Sequence, residues 1–273
     1  MDNLNASWGN DMPPAVQRTA MLEATGLCLR FGAVDALKAV SLRVCDGEIH
    51  AVIGPNGVGK LSLLNCLFGF YRSQSGTVLL KGQDISALPP HRRAALGLGR
   101  TFQGIQTYPS MTTRENILSG FHDRMSGNPF DALLYWGRGR REEEIFAAKA
   151  EAIIEFLELE EMRHAIVGDM SYGMRKRVDL GRALAVEPCI LVMDEPMAGM
   201  SAEEKADLAR YILDIREGLN IPILLVEHDM EVVMAISDRV TVVDFGEVIA
   251  SGTPDEVRAD RRVISAYLGG IAA

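Results

Sequence analysis

The sequence has few cysteines, no surplus of positive charge and no long apolar run, and each absence excludes a class of protein. Its four cysteines lie far apart and form no C-x-x-C pair, which argues against a zinc site and for reduced thiols. The formal charge of −9 argues against nucleic acid as the main partner, because neutralising phosphates requires a basic face. No apolar run approaches the roughly 18 residues that span a bilayer.

The start of the chain has no targeting pattern. Residues 1–20 are polar, acidic and proline-bearing, unlike a signal or transit peptide, so we expect a mobile tail over 1–20. The remaining length allows one large domain or two modest ones with a substantial core. We expect a protein that is soluble by itself and that reaches any membrane through a partner.

The first part of the chain after the tail is rich in short β-forming runs separated by glycine-bearing turns. The predicted strands are Leu27–Phe31, Leu37–Val44, Glu48–Ile53 and Thr77–Lys81, and one helix, Lys60–Phe68, interrupts them. This pattern predicts an antiparallel β-subdomain that precedes the rest of the fold.

The middle of the chain is predicted to be helical. Capping-box spacing at Thr112–Glu115 and at Ser201–Glu204 marks two helix starts. A helix over 141–159 is expected to bury one apolar face and to carry Glu142, Glu143 and Glu144 in its first turn. The predicted buried residues of that face are Ile145, Ala148, Ala152, Phe156 and Leu159.

Two unbroken apolar runs, Cys189–Met193 and Ile221–Val226, have a helix between them. Strands buried on both faces have this composition, and strand–helix–strand alternation predicts a parallel sheet. The sequence therefore predicts an α/β fold over 21–269, with a parallel core sheet and a helical subdomain inserted at about 104–187.

The most specific motif is GPNGVGKLS, which follows a predicted strand and opens a helix. It matches the phosphate-binding pattern G-x-x-x-x-G-K-[ST] except at Leu61, which replaces a hydroxyl residue. Glycines let backbone N–H groups wrap phosphates, the helix N-terminus adds positive potential, and Lys60 supplies charge for the β- and γ-phosphates. A glycine-rich tight turn without a ligand is the alternative. The predicted nucleotide-binding residues are Gly54, Pro55, Asn56, Gly57, Val58, Gly59, Lys60, Leu61 and Ser62.

A second motif is the apolar run Ile190–Met193, which ends in Asp194 and Glu195. Ligands of open α/β sheets bind at the carboxyl ends of the strands, where these acids are expected. Asp194 is predicted to hold Mg²⁺ through water, and Glu195 to orient the attacking water as a general base. Solvated turn acids are the alternative.

Together with four shorter motifs in the same order, the chain resembles the nucleotide-binding subunit of ATP-binding cassette (ABC) transporters over 21–269. The Q-loop, the signature, the D-loop and the switch-histidine segment are similar to Thr101–Gln103, Ser171–Gly173, Ala198–Met200 and Glu227–Asp229. The family has a P-loop nucleoside triphosphatase core.

The resemblance implies roles for further residues. Gln103 is expected to contact the nucleotide and its metal and to link them to a membrane partner, and His228 to contact the γ-phosphate beside Lys60 and Glu195. Phe31 is expected to stack on adenine, although a strand aromatic is as easily a core residue. Ser171 and Gly173 are expected to meet the nucleotide held by a second ATPase subunit, identical or different.

Longer stretches resemble one branch of the family, the larger ATPase subunit of branched-chain amino acid importers. The matching stretches are Leu67–Tyr71, Gly99–Gln103, Glu227–Met230, Ile236–Arg239, Gly252–Glu256 and Ala266–Gly269, and an excursion over 128–140 also suits that subunit. The branch implies ATP and Mg²⁺ as cofactors, hydrolysis coupled to import, membrane-spanning permease subunits, and a peripheral place on the cytoplasmic face of the membrane. Importers of urea and short amides share much of the pattern, so the solute stays open.

Two residues depart from the family pattern. Leu61 offers no oxygen to Mg²⁺, and Met174 replaces the glutamine that usually closes the signature. We predict that ATP still binds and that hydrolysis at this chain's own loop is slow. In the rival view, Ser62 or water completes the metal shell. The alternative functions are a non-hydrolytic regulatory subunit and a soluble ABC ATPase of translation or DNA repair.

Overall fold

The computed structural model describes residues 18–55, 59–122 and 138–269, with backbone alone for 138–141 and 268–269. Its first sheet is antiparallel throughout, in the order β2-β1-β4-β5. These strands are β1 (Ala20–Phe31), β2 (Val34–Cys45), β4 (Ser75–Leu80) and β5 (Gln83–Asp84). The predicted antiparallel β-subdomain is confirmed, and β1 is longer than the predicted Leu27–Phe31 because its earlier half pairs with both β2 and β4.

The second sheet has the order β10-β9-β3-β8-β7-β6. Its strands are β3 (Ile49–Ile53), β6 (Leu98–Thr101), β7 (Ile190–Asp194), β8 (Ile223–Val226), β9 (Arg239–Asp244) and β10 (Glu247–Gly252). All neighbouring pairs except β9 with β10 are parallel. Every residue of β3, β7 and β8 is buried, so the predicted parallel core sheet is confirmed.

The described helices follow the predicted order, and both predicted capping boxes form, at Thr112 with Glu115 and at Ser201 with Glu204. A third box joins Thr253 and Glu256. The helices are α1 (Gly59–Phe68), α2 (Pro90–Ala95), α3 (Thr113–Ser119), α4 (Arg138–Phe156), α5 (Tyr172–Ala185), α6 (Ala202–Gly218), α7 (Met230–Ile236), α8 (Pro254–Ala259) and α9 (Arg261–Gly269), with a 3₁₀ turn at Val167–Asp169.

The predicted buried face of α4 is wrong at three of its five residues. Ile145, Ala148 and Ala152 are exposed, whereas Leu159 is buried and Phe156 packs against the same core. The core also takes Phe146, Ala150, Ile154 and Leu157. Apolar residues occupy two sides of this helix, and the larger rings decide the orientation, because Phe146 packs on Phe121 with ring centroids 5.1 Å apart. The helix also begins at Arg138, so its three glutamates fall beyond the first turn. The predicted excursion over 128–140 lies largely outside the described residues.

The segment between β6 and β7 carries α3, α4 and α5, although the two strands are neighbours in the sheet. Its apolar side chains share one buried cluster with β7 and β8. The boundaries predicted for a helical subdomain, about 104–187, stay a prediction. The parallel register brings the carboxyl ends of β3, β7 and β8 to one edge of the sheet, where the candidate site lies.

Candidate nucleotide-binding site

The phosphate loop begins where β3 ends, and its first glycine is required by a close approach. Gly54 has φ +156°, and a Cβ there would overlap the carbonyl oxygen of Val243 on β9. Gly59 opens α1 beside the same strand, where a Cβ would lie 3.2 Å from the Cγ1 of Val243. The neighbouring strand therefore fixes both ends of the loop. Residues 56–58 lie outside the described part of the chain.

Lys60 folds back over the start of its own loop. Its side chain is 7% exposed, and Nζ donates to the carbonyl oxygens of Gly54 at 2.5 Å and of Pro55 at 3.2 Å. Burial lowers the pKa of Lys60, and the nearby charge of Glu195 partly raises it again. An ammonium group has three donors, so one remains for a phosphate oxygen.

Asp194 ends β7 in a buried ion pair with a residue to which the sequence assigned no role. Arg100 on β6 donates from Nη2 to the Asp194 Oδ2 at 2.9 Å, and the two side chains are 8% and 9% exposed. The Arg100 guanidinium lies 4.6–5.8 Å from the centroids of three aromatic rings, Phe68, Phe70 and Phe102. The sequence carried no signal for this pair, because only the strand order of the sheet brings β6 beside β7.

Glu195 is held by the predicted Q-loop residue. The Gln103 Nε2 donates to the Glu195 Oε2 at 3.0 Å. On the other side of Gln103, its carbonyl oxygen accepts from the Lys176 Nζ of α5 at 2.9 Å, and burial lowers the pKa of Lys176. The helical segment therefore touches the same loop that restrains Glu195.

The residue before the switch histidine is the second functional candidate without a role in the sequence analysis. Glu227 follows β8 and is fully buried; its carboxylate accepts from the backbone N–H groups of Met197 at 2.8 Å and of His228 at 3.0 Å. The His228 side chain is 55% exposed, and its Nδ1 lies 3.7 Å from the Glu227 carboxylate. An acid at the end of an apolar strand is the signal that identified Asp194, and it applies equally here.

The remaining predicted residues lie at the surface. Phe31 is 45% exposed, not a core residue, and its ring meets Tyr71 edge-on with centroids 5.3 Å apart. Ser171 caps α5 and accepts from the Met174 N–H at 3.3 Å. A Cβ at Gly173 would overlap the Glu204 carboxylate, so the start of α5 packs closely on α6.

The side chains present do not complete a magnesium shell. Magnesium requires near-octahedral oxygen coordination. Leu61 is 53% exposed and has no oxygen, Ser62 is 3% exposed on the inner side of α1, and one Asp194 oxygen already accepts from Arg100. Within the described ranges, no group of three or more His, Cys, Asp or Glu could hold a metal ion.

Comparison with known proteins places this site in a family. The sequence profile described as "ABC transporter" matches residues 37–198, more than half of the chain. The chain belongs to the ABC transporter family. A second profile, described as "Branched-chain amino acid ATP-binding cassette transporter", matches residues 247–273. The resemblance and the P-loop core predicted from the sequence are confirmed.

Similar ABC transporter proteins cover nearly all of the chain. The branched-chain amino acid transport ATP-binding proteins BraF of Pseudomonas aeruginosa and LivG of Escherichia coli are 38% and 39% identical over 249 residues, which are 91% of this chain and 98% of each relative. The ADP conformation of MJ1267, an ATP-binding cassette of an ABC transporter, is 33% identical with a TM-score of 0.79, and the match covers 92% of this chain and 99% of that one. No described helix of this ABC protein is long and apolar enough to cross a membrane.

Proposed function

We propose that this chain is the ATP-binding and ATP-hydrolysing subunit of an importer of branched-chain amino acids. The observation that carries the proposal is the meeting of Lys60, Gln103, Asp194 and Glu195 at the carboxyl edge of the sheet. The solute class rests on the names of BraF and LivG and on the C-terminal profile.

The chemistry follows from the groups at this edge. Loop amides and Lys60 hold the phosphates, and Gln103 keeps the Glu195 carboxylate in place. Glu195 accepts a proton from the water that attacks the γ-phosphorus. The new P–O bond replaces the bond to the bridging oxygen, so that ADP leaves and inorganic phosphate is formed. His228 presents an exposed imidazole for a phosphate oxygen. ATP can shift the equilibrium between the open and the closed pair of subunits only by the difference in its affinity for the two forms. Hydrolysis then reopens the pair.

Magnesium, the predicted second cofactor, would have only Asp194 and Gln103 as predicted ligands at this chain's loop. Substituting residues that only support the ligands of a metal lowers metal affinity or activity roughly 10–100-fold, so the loss of a ligand itself is expected to lower turnover at least as much. We therefore expect Leu61→Thr to raise magnesium-dependent ATP turnover about tenfold or more. The positions of Leu61 at the surface and Ser62 in the interior support this expectation over the rival view. Ser62→Ala abolishing activity, with no effect of Leu61→Thr, would favour the rival.

The proposed partners are permease subunits on the cytoplasmic side of a membrane and a second ATPase subunit. A groove of about 630 Å³ opens next to the Q-loop, and we propose it as the place where a permease subunit docks. Its lining combines apolar and charged groups, including Phe102, Tyr108, Met111, Asp179 and Arg182. Asp179 and Arg182 both line the groove, and the Arg182 guanidinium lies 4.8 Å from the Tyr108 ring centroid. Burial raises the pKa of Asp179.

The deciding experiment isolates the native complex from membranes, identifies its chains and measures solute uptake in proteoliposomes. We expect permease subunits and a second ATPase, with ATP-driven uptake of leucine, isoleucine or valine. Glu195→Gln in this chain, combined with loss of the partner ATPase's own catalytic glutamate, should abolish that uptake. Uptake of urea or acetamide instead would replace the solute class. Purification without any membrane protein would favour a soluble ATPase.

A non-hydrolytic regulatory subunit is the second candidate, and Leu61 is the observation that favours it. Turnover is measured in the complex after the partner ATPase loses its own catalytic glutamate. Residual turnover that disappears with Glu195→Gln assigns hydrolysis to this chain. An identical background in both complexes assigns it the regulatory role.

A further inference from the structure

Glu227 is a buried acid that the mechanism above does not use. Placing a carboxylate in the interior is unfavourable unless hydrogen bonds or opposite charges satisfy it. Here each oxygen has one backbone donor, the Met197 N–H on Oε1 and the His228 N–H on Oε2. These contacts fix the carboxylate, and equally the carboxylate fixes the two backbone segments.

Each of the two donors belongs to a segment with a predicted catalytic group. Met197 lies two residues after Glu195 and is 1% exposed. His228 carries the exposed imidazole itself. We propose that Glu227 is a positioning residue that holds the turn after Glu195 and the backbone of His228 in one arrangement, so that both groups meet the γ-phosphate together. This inference rests on the proposed ATPase function.

A second contact strengthens the link on the other side of His228. Asp229 forms an ion pair with Lys205 of α6 at 2.6 Å and caps α7 by accepting from the Val232 N–H at 3.4 Å. The hydrogen-bonded pair raises the pKa of Lys205 and lowers that of Asp229. His228 thus lies between Glu227 and Asp229, which both contact the segment that follows β7. A shift of that segment would therefore move the backbone of His228.

The substitution Glu227→Gln isolates this role with little change of volume. A glutamine oxygen accepts from one backbone N–H, while its NH₂ group faces the other donor, so one of the two bonds is lost. Glu48→Gln is the matched control. Glu48 is also buried, 5% exposed, and accepts from the Cys45 N–H at 2.9 Å, but it precedes β3 at the opposite edge of the sheet. Glu227→Asp, which keeps the charge with a shorter reach, replaces Glu227→Gln if that variant does not fold.

Two measurements on the full chain, in its transporter complex with the partner ATPase inactivated at its own catalytic glutamate, test the proposal. In Glu227→Gln we expect kcat to fall about 10–100-fold, because small displacements of catalytic groups have such effects. The KM for ATP should change less than about twofold, since the loop and Lys60 are untouched. Hydrogen exchange of peptides over 196–200 and 227–229 should accelerate, and adding His228→Ala should cause little further loss. Glu48→Gln should leave kcat unchanged.

A kcat of Glu227→Gln equal to wild type, or unchanged exchange in both peptides, would overturn the positioning role. So would equal kcat losses in Glu227→Gln and Glu48→Gln, which indicate a general effect of removing a buried charge. If the wild-type complex itself shows no ATP turnover, the proposed function fails, and the exchange comparison still decides whether Glu227 holds the two segments together.

Discussion

The buried ion pair between Arg100 and Asp194 allows a quantitative prediction for Arg100→Met. Methionine retains much of the packing against Phe68, Phe70 and Phe102 but leaves the Asp194 carboxylate, 9% exposed, without its guanidinium. Breaking a buried pair by removing one partner costs about 3–5 kcal/mol. This loss is a large part of a typical unfolding free energy of about 5–15 kcal/mol.

The assay is urea unfolding of the full chain followed by circular dichroism, with linear extrapolation to water. Arg30→Met is the matched control, because Arg30 pairs with Asp35 at 3.1 Å with side chains 60% and 47% exposed. Such a surface pair is worth less than about 1 kcal/mol. The double variant Arg100→Met with Asp194→Asn should recover most of the lost stability, because it buries no unpaired charge. A cost of Arg100→Met equal to that of Arg30→Met, or no recovery in the double variant, would refute the reasoning.

Three further predictions follow from single residues. Gly54→Ala should destabilise the chain and abolish ATP binding, because a Cβ at this position overlaps the carbonyl of Val243. Gly218→Ala is the control, since a Cβ there has nothing within 4 Å, and it should have neither effect. Urea unfolding measures the stability of both variants, and calorimetric titration measures their ATP binding. Phe31→Ala should raise the Kd for ATP up to about tenfold if the exposed ring stacks on adenine, and an unchanged Kd would remove Phe31 from the site. Burial raises the pKa of Cys66 to about 11, so the folded chain holds the thiol proton more tightly than the unfolded chain. That stabilisation is complete below the unfolded thiol pKa and is lost as pH rises through about 11; unfolding of Cys66→Ala should depend less on pH in this window, and equal slopes would contradict the assignment.

The sequence predicted those parts of the fold whose pattern has one interpretation. Cys189–Met193 and Ile221–Val226 are continuous apolar runs that contain most of β7 and all of β8, and the motif at Gly54–Ser62 has a fixed strand–loop–helix context. The face of α4 could not be predicted in full, because apolar residues lie on both sides of the helix and the contact of Phe146 with Phe121 appears only in the fold. Periodicity indicates that a face is buried and does not say which neighbour it meets.

The candidate site likewise combines residues that the sequence identifies with residues that only the fold reveals. Lys60 and Glu195 are recognised by local patterns, whereas Arg100 contacts Asp194 from 94 residues away. Without the strand order, nothing in the sequence says that β6 lies beside β7. Glu227 was recognisable as an acid after an apolar run, but its two donors are backbone groups, which leave no trace in side-chain composition.

The contacts around Glu195 and His228 bear on whether this chain hydrolyses ATP or only holds it. ATP binding requires the loop amides and Lys60. Neither the Gln103–Glu195 hydrogen bond nor the buried Glu227 contributes to that binding. Both restrain groups to which we assign roles at the attacking water and the γ-phosphate, and the two backbone donors of Glu227 offset the cost of burying its carboxylate. The arrangement favours a hydrolytic site, whose turnover we expect Leu61 to slow, over a site built only for binding. The gain expected from Leu61→Thr should then vanish in Leu61→Thr with Glu195→Gln, measured as phosphate release from the complex with an inactive partner ATPase. A gain that survives without Glu195 would mean that the added hydroxyl acts outside this site.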